Sequence, residues 1–433
     1  MYLNVVLQYK PTGATSTRAS RLLFRSKAPL RAQVAAATST RAATSKETRL
    51  TPPMLGANPP VQRAIDDAIA GGREIGIQVA AYHRGRLVVD AWGGLADPAN
   101  GRPVDGETLF NVYSVTKAVA ATAVHMLVDR GRLDYDAPVA TWWPEYAAHG
   151  KGRTTLRDVL THRAGIPQMP EGMTPERLCD WPWMTRAIAE LTPLAEAGAK
   201  TMYLSMTFGW ILGELVRRAD PDHRSLGRFV REEIAAPLGA PDLWIGIPDA
   251  VEPRIARQFD AMRPLPAEHL PPLYLASMPP AVALGPAVFE RPEVRRAEVA
   301  GVGGIFTARS EARFWAMLAG GGELDGVRLL SEGLVATLNT PRAHSDEPDP
   351  VMFGFPIPIT IGGYWFGGEH PPVCSAKNPR AICHPGQGGS IGWADPDAQL
   401  AVAICHNRLF NPATRDEDAI LTIAEAVRGA LKL

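Results

Sequence analysis

The chain has 433 residues, of which 46% are hydrophobic and 21% charged, a composition typical of a globular protein with a sizeable core. Its 45 basic and 45 acidic residues cancel, so charge gives no reason to expect a nucleic acid or an anionic membrane as partner. Four cysteines in a chain of this length do not make a disulfide scaffold, and they favour a reducing, cytoplasmic location.

Residues 1–53 differ in composition from the rest of the chain. They hold nine basic residues and one acidic residue, Glu47, and they show no helical or strand periodicity. Such a basic, low-complexity leader is typical of a disordered tail, a targeting segment or sequence upstream of the true start. Because Met54 directly precedes the first patterned segment, we favour a start there over one at Met1. The opening apolar run is too short for a secretory signal.

Hydrophobic periodicity predicts elements from residue 61 onwards. The predicted elements are a helix at 61–70, strands at 74–82 and 86–92, helices at 114–130, 156–161, 208–219, 226–234 and 310–319, a strand at 399–406 and a helix at 418–431. The longest uncharged apolar stretch, 270–289, contains five prolines, so we expect an extended loop there and no transmembrane helix anywhere. This order predicts an α+β lobe built from 54–145 and 300–433, with a mostly helical lobe from 146–299 inserted between them.

Ser114 and Lys117 form an S-x-x-K tetrad at the start of the predicted helix 114–130. Residues three apart share a helix face, which places the lysine amine beside the serine hydroxyl. A buried lysine can act as the base that a serine nucleophile needs, because desolvation disfavours its charged form. N–H groups at the helix start could stabilise an oxyanion. The alternative is an ordinary helix start, with Ser114 as N-cap and Lys117 solvated.

Three further features accompany the tetrad. Tyr203, in a Y-L-S triplet before the predicted helix 208–219, could take a proton from a serine, or it could be a buried structural tyrosine. The run H-P-G-Q-G-G-S-I-G-W at 384–393 suggests either close approach of backbone to a ligand or a tight glycine hairpin. His162, in L-T-H-R-A-G-I-P, is interpreted as a hydrogen-bonded structural histidine rather than a catalytic one.

In order and spacing, these motifs resemble the serine β-lactamase and penicillin-binding protein superfamily. Within it they are most similar to family VIII carboxylesterases, the esterase branch that resembles class C β-lactamases. The resemblance covers about residues 55–430 and includes the phrases G-R-L-D-Y-D-A-P at 131–138 and G-G-S-I-G-W-A-D-P at 388–396. It implies an antiparallel sheet flanked by helices, a serine esterase activity on short-to-medium acyl esters, a small-molecule substrate and no cofactor or metal.

The resemblance also implies roles for individual residues. Ser114 is the acylated nucleophile, and Lys117 with Tyr203 forms the base that activates it and later the deacylating water. The amides of Ser114 and Gln387 form the oxyanion hole. Gly386 belongs to the same substrate-binding loop.

His384 departs from the lactamase pattern, because it occupies the place where lactamases and peptidases usually carry the lysine of a K-T-G triplet. Ser205 likewise replaces the asparagine common in the Y-x-N box. A histidine is largely neutral at pH 7 and would hold a substrate carboxylate less well than a lysine. We therefore expect uncharged esters to be preferred over penicillins. Hydrolysis of β-lactams or D-peptides, acyl transfer, and a catalytically dead homologue remain the alternatives.

Two competing interpretations are less favoured. G-G-S-I-G at 388–392 fits the nucleophile elbow of α/β-hydrolases, with Ser390 as nucleophile, but too little chain follows it to supply a separate acid, a histidine and the rest of the sheet. The Cys-His pairs at 383–384 and 405–406 resemble zinc ligands, but neighbours on a strand point to opposite faces. The tryptophans at 142, 143, 181, 183 and 365 could line a pocket or pack in the core, and the proline-rich segment 264–292 could shape its entrance.

Overall fold

The computed structural model describes residues 57–263, 265–367 and 378–433. The leader 1–53, the choice between Met1 and Met54, and Cys374 therefore lie outside the described residues. The strands, in chain order, are β1 (Gly76–His83), β2 (Arg86–Asp97), β3 (Arg102–Pro103), β4 (Phe110–Tyr113), β5 (Leu243–Ile245), β6 (Phe259–Asp260), β7 (Gly304–Phe306), β8 (Glu323–Leu324), β9 (Val327–Arg328), β10 (Trp365–Phe366), β11 (Ile382–Pro385), β12 (Ile391–Asp395), β13 (Leu400–His406) and β14 (Arg408–Leu409).

The α-helices of the middle of the chain are short, apart from the 13-residue helix at 207–219. They are α1 (Asn58–Ala70), α2 (Thr116–Asp129), α3 (Leu156–Leu160), α4 (Pro175–Cys179), α5 (Trp181–Ala189), α6 (Thr207–Ala219), α7 (Leu226–Phe229), α8 (Pro272–Ser277), α9 (Pro286–Phe289), α10 (Pro292–Arg296), α11 (Ala308–Ala319), α12 (Glu332–Leu338) and α13 (Ala419–Leu431). In the part of the chain that the structure describes, none of these helices combines the length and apolar character that crossing a bilayer requires.

The main sheet has seven strands in the order β10-β11-β12-β13-β1-β2-β3, and every neighbouring pair is antiparallel. Its strands come from both ends of the described chain, with most of the short helices between them. The predicted α+β class, with an antiparallel sheet flanked by helices, is confirmed. The two-lobe division at 145–146 and 299–300 stays a prediction.

Both faces of the sheet are buried, as the interior strand β1 illustrates. Successive side chains of a strand point to opposite faces. Val79 and Ala81 belong to a core on one face, where α1 and α13 pack. Ala80 and Tyr82 belong to the larger core on the other face, where α11 packs against β1, β12 and β13.

Helix α2 runs through the larger core. Twelve of its 14 residues, Thr116 to Leu127, are buried, and an apolar surface on all sides is typical of a helix enclosed by protein. It packs against α6 and ends where Gly131 adopts a left-handed conformation with φ +66°. Lys117, near its first turn, is therefore enclosed by the core.

The structure corrects one predicted element clearly and adjusts two others. Residues 270–289 are not an extended loop, because they contain α8 and α9. Pro272 and Pro286 each begin one of these helices, where a proline's fixed φ suits the turn and its missing N–H costs nothing. The predicted helix 114–130 begins at Thr116, which leaves Ser114 in the preceding turn. The predicted helix 226–234 is α7 followed by a π-helical turn, Val230–Ala235.

Candidate active site

Ser114 lies in a tight turn between β4 and α2, and side-chain hydrogen bonds fix that turn. Tyr113, directly before it, has a φ of +49°, which is strained for a bulky residue. Its N–H donates to Asn111 Oδ1 at 3.0 Å, and its carbonyl accepts from the Thr116 hydroxyl. Thr116 Oγ1 in turn accepts from the N–H of Gly304 on β7, at 2.8 Å. The strand, the strained turn and β7 together hold Ser114 in one place.

Lys117 contacts Ser114 from the helix. Its Nζ lies 2.9 Å from Ser114 Oγ and donates to the carbonyl oxygen of Gly301 at 3.0 Å. The side chain is completely buried, and this burial lowers the pKa of Lys117 to about 7. A neutral amine can use one N–H on Gly301 and direct its lone pair at the Ser114 hydroxyl. The geometry therefore suits proton transfer from Ser114 to Lys117.

Tyr203 approaches Ser114 from the segment before α6. Burial raises the pKa of Tyr203 above its ordinary value, although a hydrogen bond with the Ser114 side chain opposes the rise. Its ring centroid lies 5.7 Å from Lys117 Nζ. The buried phenol is therefore protonated at neutral pH, and it can donate a hydrogen bond to Ser114 while Lys117 accepts one.

Three consecutive backbone N–H groups anchor the segment that carries Tyr203. The N–H of Met202 donates to the carbonyl of His162 at 2.9 Å, and the N–H of Leu204 donates to His162 Nδ1 at 2.9 Å. Between them, the N–H of Tyr203 donates to Asp349 Oδ2 at 2.8 Å. Sequence reasoning missed Asp349, because it belongs to no motif and lies 146 residues from its partner.

His162 has the structural role that the sequence favoured. Its ring is fully buried and stacks against the rings of Tyr203 and Phe208, with centroids 4.4 and 4.9 Å away. Burial and the nearby Lys117 hold the pKa of His162 well below its ordinary value. A neutral ring with an unprotonated Nδ1 suits the hydrogen bond from Leu204.

The glycine-rich run forms the hairpin between β11 and β12, so the tight-hairpin interpretation was right, and the same hairpin also lines a cavity beside Ser114. A Cβ on Gly386 would lie 2.2 Å from the carbonyl oxygen of Val112 on β4, so only glycine allows this approach. The N–H of Gly386 donates to the carbonyl of Ser390 at 2.7 Å and closes the loop. The contact with β4 brings Gly386 and Gln387 to the wall of the cavity that Ser114 also lines.

His384 lies behind that wall. It is completely buried, and its Nδ1 faces the carbonyl oxygen of Pro385 at 2.9 Å, while Pro385 itself lines the cavity. Burial, with a contribution from Lys117, lowers the pKa of His384 to about 3, so the ring is neutral. A contact between His384 and substrate stays a prediction.

The cavity beside Ser114 has a volume of about 110 Å³ and mostly apolar walls. Among the described residues, no Lys, Arg, His, Asp or Glu lines it. Its apolar walls include Met262, Tyr274, Met278, Met352, Phe353 and Trp365. Trp365 is the one tryptophan of the five considered that reaches this lining, and Tyr274 and Met278 come from the proline-rich segment 264–292. Ser205 also lines the cavity, and its hydroxyl lies 3.1 Å from that of Ser277.

The surroundings of Ser390 are not those of a nucleophile. It is 2% exposed, and its hydroxyl accepts from the backbone N–H of His406 at 3.3 Å. The His406 ring instead faces Glu74, with Nδ1 and Oε2 3.0 Å apart. An acid and a histidine are thus close by, but they are not aligned on the Ser390 hydroxyl.

The two cysteine–histidine pairs are not brought together. Cys383 belongs to the core on one face of the sheet and Cys405 to the core on the other. The Cys405 thiol donates to the buried carboxyl of Glu311 at 3.2 Å. Within residues 57–263, 265–367 and 378–433, no group of three metal-binding side chains is present.

Comparisons with known proteins identify the family and the fold. The sequence matches the beta-lactamase family over residues 61–426. It is 34% identical over 372 residues to the Esterase/beta-lactamase LipL of Mycobacterium tuberculosis, and the match covers 83% of each chain. A solved family VIII carboxylesterase has a TM-score of 0.79 at 31% identity, covering 89% of this chain and 99% of that one. A penicillin-binding protein homologue from Caulobacter crescentus has a TM-score of 0.74 at 32% identity, covering 88% and 99%. The predicted resemblance is confirmed.

Proposed function

Because the chain belongs to the beta-lactamase family of esterases and β-lactam hydrolases, we propose that it is a serine carboxylesterase that forms an acyl-enzyme on Ser114. The observation that carries this proposal is the 2.9 Å contact between Ser114 Oγ and a buried lysine whose pKa is lowered to about 7. A nucleophile and a base that is neutral near physiological pH are the two groups that acyl transfer requires.

In the first half of the reaction, Lys117 takes the Ser114 proton as Oγ bonds to the ester carbonyl carbon. The carbonyl oxygen becomes an oxyanion, which the backbone N–H groups of Ser114 and Gln387 stabilise. The bond to the leaving alcohol then breaks, and the alcohol oxygen receives a proton from the Tyr203 hydroxyl. Tyr203 regains a proton from the Lys117 ammonium. The products are the alcohol and an acyl ester of Ser114.

In the second half, water takes the place of the alcohol. Lys117, neutral again, accepts the proton of the attacking water, and the same two N–H groups hold the second oxyanion. When the ester bond to Ser114 breaks, the Ser114 oxygen receives a proton from the Tyr203 hydroxyl, Tyr203 regains one from the Lys117 ammonium, and the acid leaves. This scheme assigns base chemistry to Lys117 and proton donation to Tyr203, because burial raises the pKa of the phenol.

The lining of the cavity favours an uncharged substrate. Its described walls carry apolar and neutral polar side chains, and the neutral His384 ring is completely buried behind them. A substrate carboxylate placed there would lose its hydration without gaining a cationic partner, and burying an unpaired charge is costly. Short-to-medium acyl esters fit such a site better than the anionic β-lactams.

We expect the enzyme to hydrolyse p-nitrophenyl butyrate with a higher kcat/KM than a chromogenic cephalosporin. The sharper comparison is between the free acid of one cephalosporin and its methyl ester. In the cavity the carboxylate of the free acid would lack a hydrogen-bonding partner, and a hydrogen bond to a charged group contributes about 1.5–3 kcal/mol. We therefore expect the neutral methyl ester to react about 10–100-fold faster at its lactam ring. Faster turnover of the free acid than of either neutral compound would indicate a β-lactamase and contradict the esterase proposal.

The activity should depend on pH through Lys117. Its neutral form is the base, so kcat/KM should rise as pH increases through about 7 and level off on the alkaline side. The pKa of His384 is lowered to about 3, so that ring stays neutral over this range and should not contribute. Initial rates from pH 5 to 9, corrected for spontaneous ester hydrolysis, measure the profile. A flat profile would remove Lys117 as the base.

A further inference from the structure

Asp349 is a completely buried carboxylate whose two oxygens bind two different parts of the site. Oδ2 accepts from the N–H of Tyr203 at 2.8 Å, and Oδ1 accepts from the N–H groups of Val351 and Met352 at 2.8 and 3.2 Å. We propose that Asp349 is a positioning residue that fixes the Tyr203 phenol and the wall of the cavity beside Ser114 relative to one another. The inference rests on the proposed esterase function.

Through Oδ2, Asp349 positions Tyr203, the residue that donates a proton to the leaving alcohol. The N–H groups of Met202 and Leu204, on either side of Tyr203, bind to His162. Asp349 holds the N–H between them, so the backbone of Tyr203 is fixed from two directions. A shift of about 1 Å in a reacting group can cost about 100-fold in rate, so this anchor bears directly on proton transfer to the leaving alcohol.

On the Oδ1 side, Asp349 shapes the loop that carries Met352 and Phe353 into the cavity. The loop folds back on itself: the N–H of Gly354 donates to the Asp349 carbonyl at 2.8 Å, and the N–H of Asp349 donates to the carbonyl of Phe355 at 3.2 Å. Phe353, at its tip, has a φ of +60°, and its ring lies 5.2 Å from that of Tyr274. A bulky residue keeps such a backbone only where its surroundings impose it.

A carboxylate suits this double role, and an amide does not. Burial raises the pKa of Asp349 to about 6, so the carboxylate is mainly ionised at pH 7. In that form it is an acceptor at both oxygens, so it can serve Tyr203 on one side and the loop on the other. Asparagine has one carbonyl oxygen and one NH2 group. In either orientation its NH2 would face backbone N–H donors, and one of the two links would break. Asp349→Asn therefore removes one link with little change in side-chain volume.

Glu347 provides a matched control, because it binds the segment that carries Tyr203 but does not line the cavity beside Ser114. Its Oε2 accepts from the N–H and hydroxyl of Thr201, at 3.1 and 2.8 Å, and from Arg163 Nη1 at 2.6 Å. It lies two residues before Asp349 and holds the chain two residues before Tyr203. If Asp349 only stabilised the fold, Glu347→Gln and Asp349→Asn should have the same kinetic consequences.

The experiment compares wild type, D349N, D349E and E347Q with p-nitrophenyl butyrate and octanoate, and measures Ser114 labelling by a fluorophosphonate. We expect D349N to lower kcat on the order of 10–100-fold, to slow labelling, and to change the ratio of KM for octanoate to KM for butyrate. E347Q should keep the wild-type kcat and KM ratio, even if its thermal midpoint falls as far as that of D349N.

The other possible results also support or overturn the proposed role of Asp349. Wild-type kcat and KM ratio in folded D349N, or equal kinetic losses in D349N and E347Q, would overturn the inference. If D349N does not fold, D349E replaces it, because it keeps both acceptors but displaces them by one methylene, and the same pattern is expected. If neither folds while E347Q does, Asp349 serves folding and the inference is overturned. If wild type neither hydrolyses the esters nor is labelled, the proposed function fails, and the inference fails with it.

Discussion

Ser114→Ala should abolish ester hydrolysis while leaving the fold intact. Removing the nucleophile of a serine hydrolase lowers kcat by about 10⁴–10⁶-fold, because the rest of the machinery has nothing to activate. The substitution deletes one partly buried hydroxyl and keeps the turn, whose hydrogen bonds come from Asn111 and Thr116. Rates with p-nitrophenyl butyrate and the thermal midpoint, measured on one preparation, test both halves of this expectation.

Ser390→Ala is the matched control for this variant. Ser390 also lies in a motif that suggests a nucleophile, G-G-S-I-G, but its hydroxyl is buried and accepts from a backbone N–H. We expect S390A to keep kcat/KM within about threefold of wild type, since the lost hydrogen bond bears on stability by only about 0.5–1.5 kcal/mol. Loss of activity in S390A together with its survival in S114A would reverse the assignment of the nucleophile.

Lys117→Met should produce the second largest loss, at least about 10³-fold in kcat/KM. General base catalysis alone contributes about 10²–10⁴-fold, and here the same group acts in both halves of the reaction. Methionine fills a similar volume without a charge, and a buried ammonium is costly to desolvate. Burial lowers the pKa of Lys117 to about 7, so the unfolded chain binds a proton there more readily than the native state does. The resulting destabilisation of the native state grows as pH falls from the usual lysine pKa to about 7 and is fully present below that pH. K117M should therefore remain folded at pH 7, with a thermal midpoint at or above that of wild type.

Lys151 is a second buried lysine and allows a reciprocal control. Its Nζ donates to the carbonyl oxygens of Ala148, Ala189 and Leu191, and it does not line the cavity beside Ser114. K151M leaves those carbonyls without their donor, so it should lower the thermal midpoint and keep kcat/KM within about threefold. Equal losses of activity in K117M and K151M would mean that Lys117 acts through stability rather than as the base.

The long periodic elements of this fold could be predicted from the sequence, and the shortest could not. The predicted helices 208–219 and 418–431 match α6 and α13 within a residue, because two or three turns of apolar spacing specify a buried face. Strands β4, β5 and β7 have three or four residues each, too few for an alternating pattern to stand out. Yet β4 and β7 are the elements that fix the turn around Ser114, through its neighbours Tyr113 and Thr116.

The candidate site shows the same division between local and distant information. The proximity of Ser114 and Lys117 was predictable from four residues, because the turn before α2 keeps the three-residue spacing: the N–H of Lys117 donates to the Ser114 carbonyl at 3.0 Å. The place of Tyr203 depends on His162 and Asp349, which are distant in sequence and contribute through backbone hydrogen bonds that leave no motif. Burial lowers the pKa of Lys117 and raises that of Tyr203, and so gives the two residues different roles. That burial depends on packing that no short motif encodes.

Mapping the adduct of a fluorophosphonate by intact mass and peptide analysis tests the central claim most directly. A serine activated by a neighbouring base attacks such a probe, whereas an ordinary serine does not. We predict a single adduct on the peptide that contains Ser114, absent from S114A and strongly slowed in K117M. An adduct on the peptide that contains Ser390, or none on the folded protein, would contradict the account.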